Sequence, residues 1–307
     1  MMAEASTSMV RSGGPTSGGS WAAWIAAPDA RLRPGVVRYS GFVARSDVET
    51  VRREVPGAIV PVIIAFDAPY RVGGAEGAAT AMRGAAGSRD ARGGFDSFLA
   101  GMTSRPVLVE AGTVERCIQI DFTPPGMRRL LGVPMELVAN RVLGLEELLG
   151  PAACELAERL FEAGGADSGG WAARFRLVDE LLLARLRATE PVVAEVEWAW
   201  RQLVRSEGRV RVTALTSELG WSRKRLGAAF RSEIGLPPKT VARVLRFDHA
   251  RRRLGAGERA VSVAVAAGYA DQAHMVREFG ELAGVTPARL EPPSFGGEEQ
   301  IFNPRVE

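Results

Sequence analysis

A short predicted helix, bounded by glycine, capping and proline residues, occurs twice in the last third of the sequence and constrains the fold more than any other feature. The stretch "LGWSRKRLGAAFRSEIGLPP", residues 219–238, aligns with "AGYADQAHMVREFGELAGVTP", residues 267–287, with one extra residue in the second copy. The matched pairs are Gly220 and Gly268, Trp221 and Tyr269, Phe230 and Phe279, Gly235 and Gly284, and Pro238 and Pro287. Two copies about 48 residues apart predict two similar supersecondary units.

Each copy predicts a short helix, a tight turn and a capped second helix. Gly220 and Gly268 end the first helix because glycine adopts the left-handed turn without strain. Ser222 and Asp271 then cap the second helix. Its buried face is predicted to carry apolar residues three and four apart, namely Leu226, Phe230 and Ile234 in the first copy and Met275, Phe279 and Leu282 in the second. This arrangement is a helix-turn-helix, whose second helix lies in a DNA groove.

The opposite face of each second helix is where bases would be read. The candidates for base contacts are Lys224, Gln272, Ala273, Val276 and Arg277. Arg binds guanine and Gln binds adenine through two hydrogen bonds, so Arg277 and Gln272 are the best candidates for direct readout. Alternatively, Arg277 forms a solvent-exposed ion pair with Glu278 or Glu281. The candidates for phosphate contacts, which give affinity without sequence preference, are Arg223, Arg225 and Arg231.

The segment "PPKTVARVLRFDHARRRL", residues 237–254, predicts one long helix between the two units. A stiff connector would hold the two reading helices at a fixed separation. One chain could then read two neighbouring major-groove segments of double-stranded DNA.

Charge and composition agree with this interpretation and bound the alternatives. Residues 191–290 carry 17 Arg and Lys against 10 Asp and Glu, a net of +7 in a chain whose total is +3, which leaves −4 for the remainder. Such asymmetry suggests a polyanionic partner, although a solvated basic surface would look the same.

The sequence shows neither a signal peptide nor an apolar run long enough to span a membrane, so we expect a cytoplasmic protein without membrane contacts. Cys117 and Cys154 lie far apart without a neighbouring His, which argues against a metal site.

Residues 21–190 predict a separate, β-rich domain with helices at its C-terminal end. Residues 1–20 and 291–307 are expected to be disordered, and the Gly/Ala-rich residues 71–94 to form a mobile loop. Strand patterns occupy 36–66 and 105–122, whereas helical periodicity follows from 124 to about 188. A stripe of Phe175, Val178, Leu182 and Leu186 packs either on its own domain or in a homodimer interface. The break at 189–191 marks the boundary before the paired helix-turn-helix domain, 191–290.

The region 195–290 resembles the paired helix-turn-helix domain of AraC/XylS-type bacterial transcription regulators. The motifs that carry the resemblance are Gly220, Ser222, Leu226 and Phe230 in the first unit, and Gly268, Tyr269, Asp271, Arg277, Phe279, Gly284, Thr286 and Pro287 in the second. Residues 114–150 also resemble the sensor half of one branch of this family.

The resemblance implies an α+β protein with a β-rich, cupin-like N-terminal domain with flanking helices and an all-α C-terminal domain. It implies a regulator in the bacterial cytosol or nucleoid that binds a small-molecule effector or dimerises through its N-terminal half, and that contacts RNA polymerase if it activates transcription. The family's base-reading positions fall on Lys224, Gly227 and Ala228 in the first unit and on the four second-unit candidates. Because Gly227 and Ala228 carry almost no side chain, we expect the second unit to dominate specific binding.

Two other function classes have some support in the sequence. The segment "ADSGG", residues 166–170, is similar to the nucleophile segment of trypsin-like proteases, but both histidines, His249 and His274, lie in the C-terminal domain. No phosphate-binding glycine loop is present, so neither a cofactor nor an enzymatic activity is predicted. The other alternative is a helix-turn-helix protein that acts mainly through protein partners and binds DNA weakly and without sequence preference.

Overall fold

The computed structural model of the chain describes residues 9–16, 18–74, 94–165, 167–186 and 191–290. Among these residues, the N-terminal part forms ten strands: β1 (Met9–Thr16), β2 (Gly19–Ala26), β3 (Val36–Ser46), β4 (Thr50–Glu54), β5 (Val60–Ala65), β6 (Arg71–Gly74), β7 (Ser97–Ala100), β8 (Val107–Ala111), β9 (Val114–Phe122) and β10 (Val142–Gly144). Residues 189 and 190 of the predicted boundary, most of the predicted loop 71–94 and the predicted disordered tail lie outside the described residues.

The strands form two antiparallel sheets that pack face to face. Seven strands pair in the order β1-β2-β3-β9-β5-β7-β10, and three pair in the order β4-β8-β6. Side chains of the large sheet alternate, as period-two packing requires. Cys117 and Phe42 face the small sheet, where Val72 and Val109 meet them, whereas Ile118 belongs to the core on the other face. The predicted β-rich, cupin-like N-terminal half is therefore confirmed.

Four helices accompany the sheets: α1 (Pro124–Leu131), α2 (Leu145–Leu149), α3 (Ala152–Glu162) and α4 (Ser168–Leu186). A short 3-10 helix, Met135–Leu137, follows α1. The prediction of helix throughout 124–150 is wrong for Val142–Gly144, which form β10 and pair with β7. Pairing with a strand more than forty residues away leaves no local periodicity, so the apolar run there was indistinguishable from helix.

The prediction that residues 1–20 are disordered is wrong for Met9–Thr16, Gly19 and Ser20, which form β1 and the start of β2. The two strands make an antiparallel hairpin in which Met9 pairs with Ala26 and Thr16 with Gly19. Glycine is required at position 19, because a Cβ there would lie 1.9 Å from the carbonyl oxygen of Arg45. The small residues that suggested disorder thus permit close strand approach. The expectation of a loop was likewise wrong for Arg71–Gly74, which pair with β8 as strand β6.

Helix α4 packs on the large sheet through stacked aromatic rings. Trp171 stacks on Trp24 at 5.3 Å between centroids, and Phe175 stacks on Tyr39 at 5.7 Å. The sheet accepts Trp171 because Gly41 lies beneath it, where a Cβ would be 2.2 Å from the indole ring. Phe175, Val178 and Leu182 are buried in this core. Of the two roles predicted for this stripe, packing on its own domain is the one that these three residues perform.

The C-terminal part is all helical, as predicted. It contains α5 (Ala194–Arg205), α6 (Val212–Leu219), α7 (Arg223–Ile234), α8 (Pro238–Gly255), α9 (Ala260–Ala266) and α10 (Gln272–Ala283), followed by a 3-10 turn, Pro287–Arg289. Helix α8, Pro238–Gly255, agrees with the long helix predicted over 237–254. None of the described helices is both long and apolar enough to cross a bilayer.

The two halves of the chain touch at the ends of two helices. Glu233 in α7 is buried beside Arg128 of α1, with 3.6 Å between Oε1 and Nε. At the end of α10, a guanidinium nitrogen of Arg53 lies 3.5 Å from the carbonyl oxygen of Ala283. The N-terminal half therefore contacts the last turn of both α7 and α10.

Candidate nucleic-acid interface

The first helix-turn-helix consists of α6, a tight turn and α7. Gly220 ends α6 in the left-handed conformation, with φ 62° and ψ 24°. The Ser222 hydroxyl oxygen then accepts a hydrogen bond from the Arg225 backbone N–H, which satisfies a donor that the helix leaves free. Gly220 and Ser222 thus fix, within a few residues, where α6 ends and α7 begins.

The second unit repeats this construction with α9 and α10. Gly268 has φ 77°, and the Asp271 carboxylate accepts a hydrogen bond from the His274 backbone N–H at 2.6 Å. Gly284, again left-handed, ends α10. The His274 ring packs edge-on against Tyr269 at 5.3 Å, which holds the turn and the helix together.

Both second helices bury one face and expose the other. Leu226, Phe230 and Ile234 of α7 are fully buried, and so are Met275, Phe279 and Leu282 of α10 within 1% exposure. Phe279 also packs edge-on against Phe247 of α8 at 4.7 Å between centroids. The buried stripes fix the rotation of each helix about its own axis, and therefore decide which residues point outward.

The outward face of α7 carries the basic residues selected from the sequence. Arg223, Lys224, Arg225, Ala228 and Arg231 are exposed, and Gly227 is partly covered. Arg225 lies over the Trp221 ring at 4.0 Å, a cation–π contact that orients its guanidinium. The face is therefore strongly positive, but at its centre Gly227 and Ala228 offer little for reading bases.

The outward face of α10 offers longer polar side chains. Gln272, Ala273 and Arg277 are exposed, and Val276 is partly covered. The ion pairs of the two neighbouring glutamates go elsewhere: Glu278 pairs with Arg243 at 2.9 Å and with Arg246, and Glu281 pairs with Arg243. These pairs connect α10 to α8. Within the described part of the chain, Arg277 forms no ion pair, whereas the alternative interpretation of this residue requires one with Glu278 or Glu281.

Helix α8 connects the two units rigidly. Its residues Val241, Val244 and Phe247 are fully buried, and α8 packs against α5, α7, α9 and α10. A helix with these contacts on both sides transmits the position of one unit to the other. The spacing of the two outward faces is thus set by the fold.

One further cation lies near the second unit, in a loop outside both repeated segments. Arg209, between α5 and α6, packs its aliphatic chain against Gly268, the turn glycine of the second unit. Its side chain is 53% exposed. The sequence signal for Arg209 is the series of arginines at 205, 209 and 211. Composition alone cannot show that Arg209 lies beside the second unit.

Comparison with known proteins agrees with this geometry. Residues 215–291 match a family described as a helix-turn-helix domain. This segment is an AraC-type helix-turn-helix domain. The match begins within α6 and runs just past the last 3-10 turn, so it spans both units of the AraC-type domain.

Solved structures similar to about four-fifths of the chain include ToxT from Vibrio cholerae. One ToxT crystal structure is 11% identical, covers 81% of this chain and 95% of its own, and has a TM-score of 0.41. A second, unsaturated fatty acid bound wild-type ToxT, is 10% identical, covers 79% and 94%, and has a TM-score of 0.42. No curated protein matches the chain by sequence.

Outside the AraC-type domain, a surface cavity of about 250 Å³ lies between the end of β5 and helix α3. It is lined by Ala65, Phe66, Ala157, Glu158, Phe161 and Glu162. Ala65 and Phe66 lie at and just after the end of strand β5, whereas the other four lining residues belong to α3.

Ser168 and His249, two residues considered in the enzyme interpretation, each contact another side chain. The Ser168 hydroxyl accepts a hydrogen bond from the Trp24 indole N–H at 3.1 Å, at the start of α4. His249 lies 2.9 Å from Glu207. Across the described residues, no cluster of His, Cys, Asp and Glu could hold a metal ion. Cys117 is buried, and the exposed Cys154 donates a hydrogen bond to Glu146.

Proposed function

We propose that this protein is a sequence-specific transcription regulator of the AraC type. In this proposal, α7 and α10 enter adjacent major-groove segments of double-stranded DNA. The observation that carries it is the pair of outward faces, each exposed, each oriented by a buried stripe, and both joined through α8. Two such faces at a fixed spacing suit two successive groove segments.

The division of labour between the units follows from their side chains. On α10, Gln272 and Arg277 can form paired hydrogen bonds with adenine and guanine, and Ala273 and Val276 supply apolar contacts. On α7, Lys224 is the remaining base-reading candidate, whereas Arg223, Arg225 and Arg231 suit phosphates. We therefore assign most sequence discrimination to the second unit, and most of the salt-dependent affinity of the first unit to phosphate contacts.

The N-terminal half is proposed to control DNA binding by taking up a small-molecule effector. What supports this is the direct contact of the N-terminal half with the last turn of each reading helix, through Arg128 and Arg53. An effector that shifts either contact would alter the relative position of the reading helices. Homodimer formation and contact with RNA polymerase remain further parts of the proposal.

Selection of duplexes from a randomised pool by the full chain tests the proposal. We expect an enriched site with two conserved blocks about one helical turn apart. Fluorescence anisotropy with the selected and a scrambled duplex should then show selective binding, with log K falling linearly with log salt. Equal, weak binding to both duplexes would instead support the alternative of a protein that acts mainly through protein partners.

A further inference from the structure

We propose that Arg209, which lies in the loop before the first helix-turn-helix, is a phosphate-binding residue for the second one. This inference rests on the proposed DNA-binding function and adds a residue outside both repeated units. It is carried by the shape of the loop that holds Arg209, by where the side chain lies, and by the charge around it.

The loop between α5 and α6 is a rigid turn. Glu207 and Gly208 both have positive φ, 52° and 77°. Glycine is needed at position 208, because a Cβ there would lie 2.1 Å from the carbonyl oxygen of Ala242 in α8. The Ser206 hydroxyl accepts a hydrogen bond from the Val210 backbone N–H at 3.1 Å. The loop is thus fastened to the connector helix rather than free in solvent.

This turn directs Arg209 toward the second unit. Its Nε donates a hydrogen bond to the carbonyl oxygen of Ser206 at 3.0 Å. Its Cγ and Cδ lie 3.2 and 3.5 Å from where a Cβ on Gly268 would be. Gly268 begins the turn that leads into α10, only four residues before Gln272. A cation whose stem is packed and whose head is half exposed is already oriented, so it loses little conformational entropy on binding.

The surroundings leave Arg209 available for an anion. The one acidic side chain of the loop, Glu207, forms a long ion pair with Arg209, with 3.8 Å between O and N, and also lies 2.9 Å from His249 on α8. Arg205 and Arg211, at either end of the loop, are also exposed. The loop surface is therefore net positive, and a guanidinium binds phosphate oxygens through charge-assisted hydrogen bonds.

The consequence is that the two units are not independent readers. A residue that precedes α6 in the chain would hold the DNA backbone beside α10, between the two groove segments. Removal of Arg209 should weaken binding to every duplex by a similar factor, since phosphate contacts carry no sequence information.

Arg209→Ala in the full chain tests this assignment against the matched control Arg205→Ala, which removes the same charge from the exposed last residue of α5, next to the loop. Anisotropy titrations at several salt concentrations would use the selected and the scrambled duplex. For Arg209→Ala we expect the slope of log K against log salt to become shallower by about one, on both duplexes. Arg205→Ala should change the slope by less, and Arg209→Lys should restore most of it.

Three results would overturn the inference. Equal slopes for the two alanine variants would show that the change in slope reflects only the loss of one positive charge and not the position of Arg209. A loss confined to the selected duplex would make Arg209 a base-reading residue. Reduced thermal stability with an unchanged slope would make it purely structural. In each case selective binding by the unmodified protein would leave the proposed function intact, whereas failure of the unmodified protein to bind DNA would overturn both proposals.

Discussion

Arg128 and Glu233 join the N-terminal half to α7, the second helix of the first helix-turn-helix, with 3.6 Å between Nε and Oε1. Glu233 is buried near the end of α7, so its carboxylate depends on this partner more than a surface carboxylate would. The pair therefore makes the position of α7 sensitive to the N-terminal half.

We expect Arg128→Ala to lower the free energy of unfolding by about 1–3 kcal/mol, because it leaves a buried carboxylate with less compensation. Arg129→Ala on the same helix is the control, since no ion pair is seen at Arg129 among the described residues. Thermal unfolding measures both variants. In a double-mutant cycle with Glu233→Gln, additive losses would show that the two residues are not coupled.

Arg277→Ala should relax sequence preference by roughly 1–3 kcal/mol at one base pair, since a paired hydrogen bond to guanine would be lost. Affinity for a scrambled duplex should change little. Binding to a panel of single-base variants of the selected site measures this, with the exposed Arg289→Ala as control. Unchanged discrimination in Arg277→Ala would remove this residue from the base-reading set.

Gly41→Ala should destabilise the protein by about 1–3 kcal/mol, because the new methyl group would overlap the Trp171 ring and force the α4 helix away from the sheet. Gly14→Ala is a suitable control in the same sheet, where a Cβ would have no neighbour within 4 Å. Thermal unfolding followed by circular dichroism compares the two. Equal midpoints would contradict the close packing of Trp171 on β3.

The two thiols should differ in reactivity. Burial raises the pKa of Cys117 to about 12, so almost no thiolate forms near neutral pH. Cys154 is exposed, although its hydrogen bond to Glu146 raises its pKa as well. Mass spectrometry after treatment with an alkylating reagent should find one label, on Cys154, in the native protein. Glu146→Gln should speed that labelling, and a label on native Cys117 would contradict its burial.

His249 should make stability depend on pH. Burial lowers its pKa below the ordinary 6.5, with Arg252, Arg253 and Arg209 acting in the same direction and Glu207 opposing them. The unfolded chain then takes up the proton first, so stability falls as the pH drops through 6.5 toward the lowered value. His249→Gln should flatten that part of the profile. His274→Gln, at the other histidine, is the control, and identical profiles for both variants would contradict the assignment.

The paired helix-turn-helix could be predicted from the sequence because its determinants are local. A glycine turn, a cap three residues from the N–H that it accepts, and apolar residues four apart all act within one or two turns of helix. Ser222, Asp271 and the buried stripes of α7 and α10 accordingly lie where the sequence placed them.

Only the tertiary structure decided the rest, because it depends on residues distant in the chain. The hairpin of β1 and β2 is held in the sheet by pairing of β2 with β3, and the strand at Val142–Gly144 by pairing with β7. Small or mixed side chains do not reveal such pairing in the sequence. The fit of Trp171 over Gly41, and of Arg209 beside Gly268, joins positions more than fifty residues apart. Such contacts follow from how the elements pack, so no spacing along the chain could have revealed them.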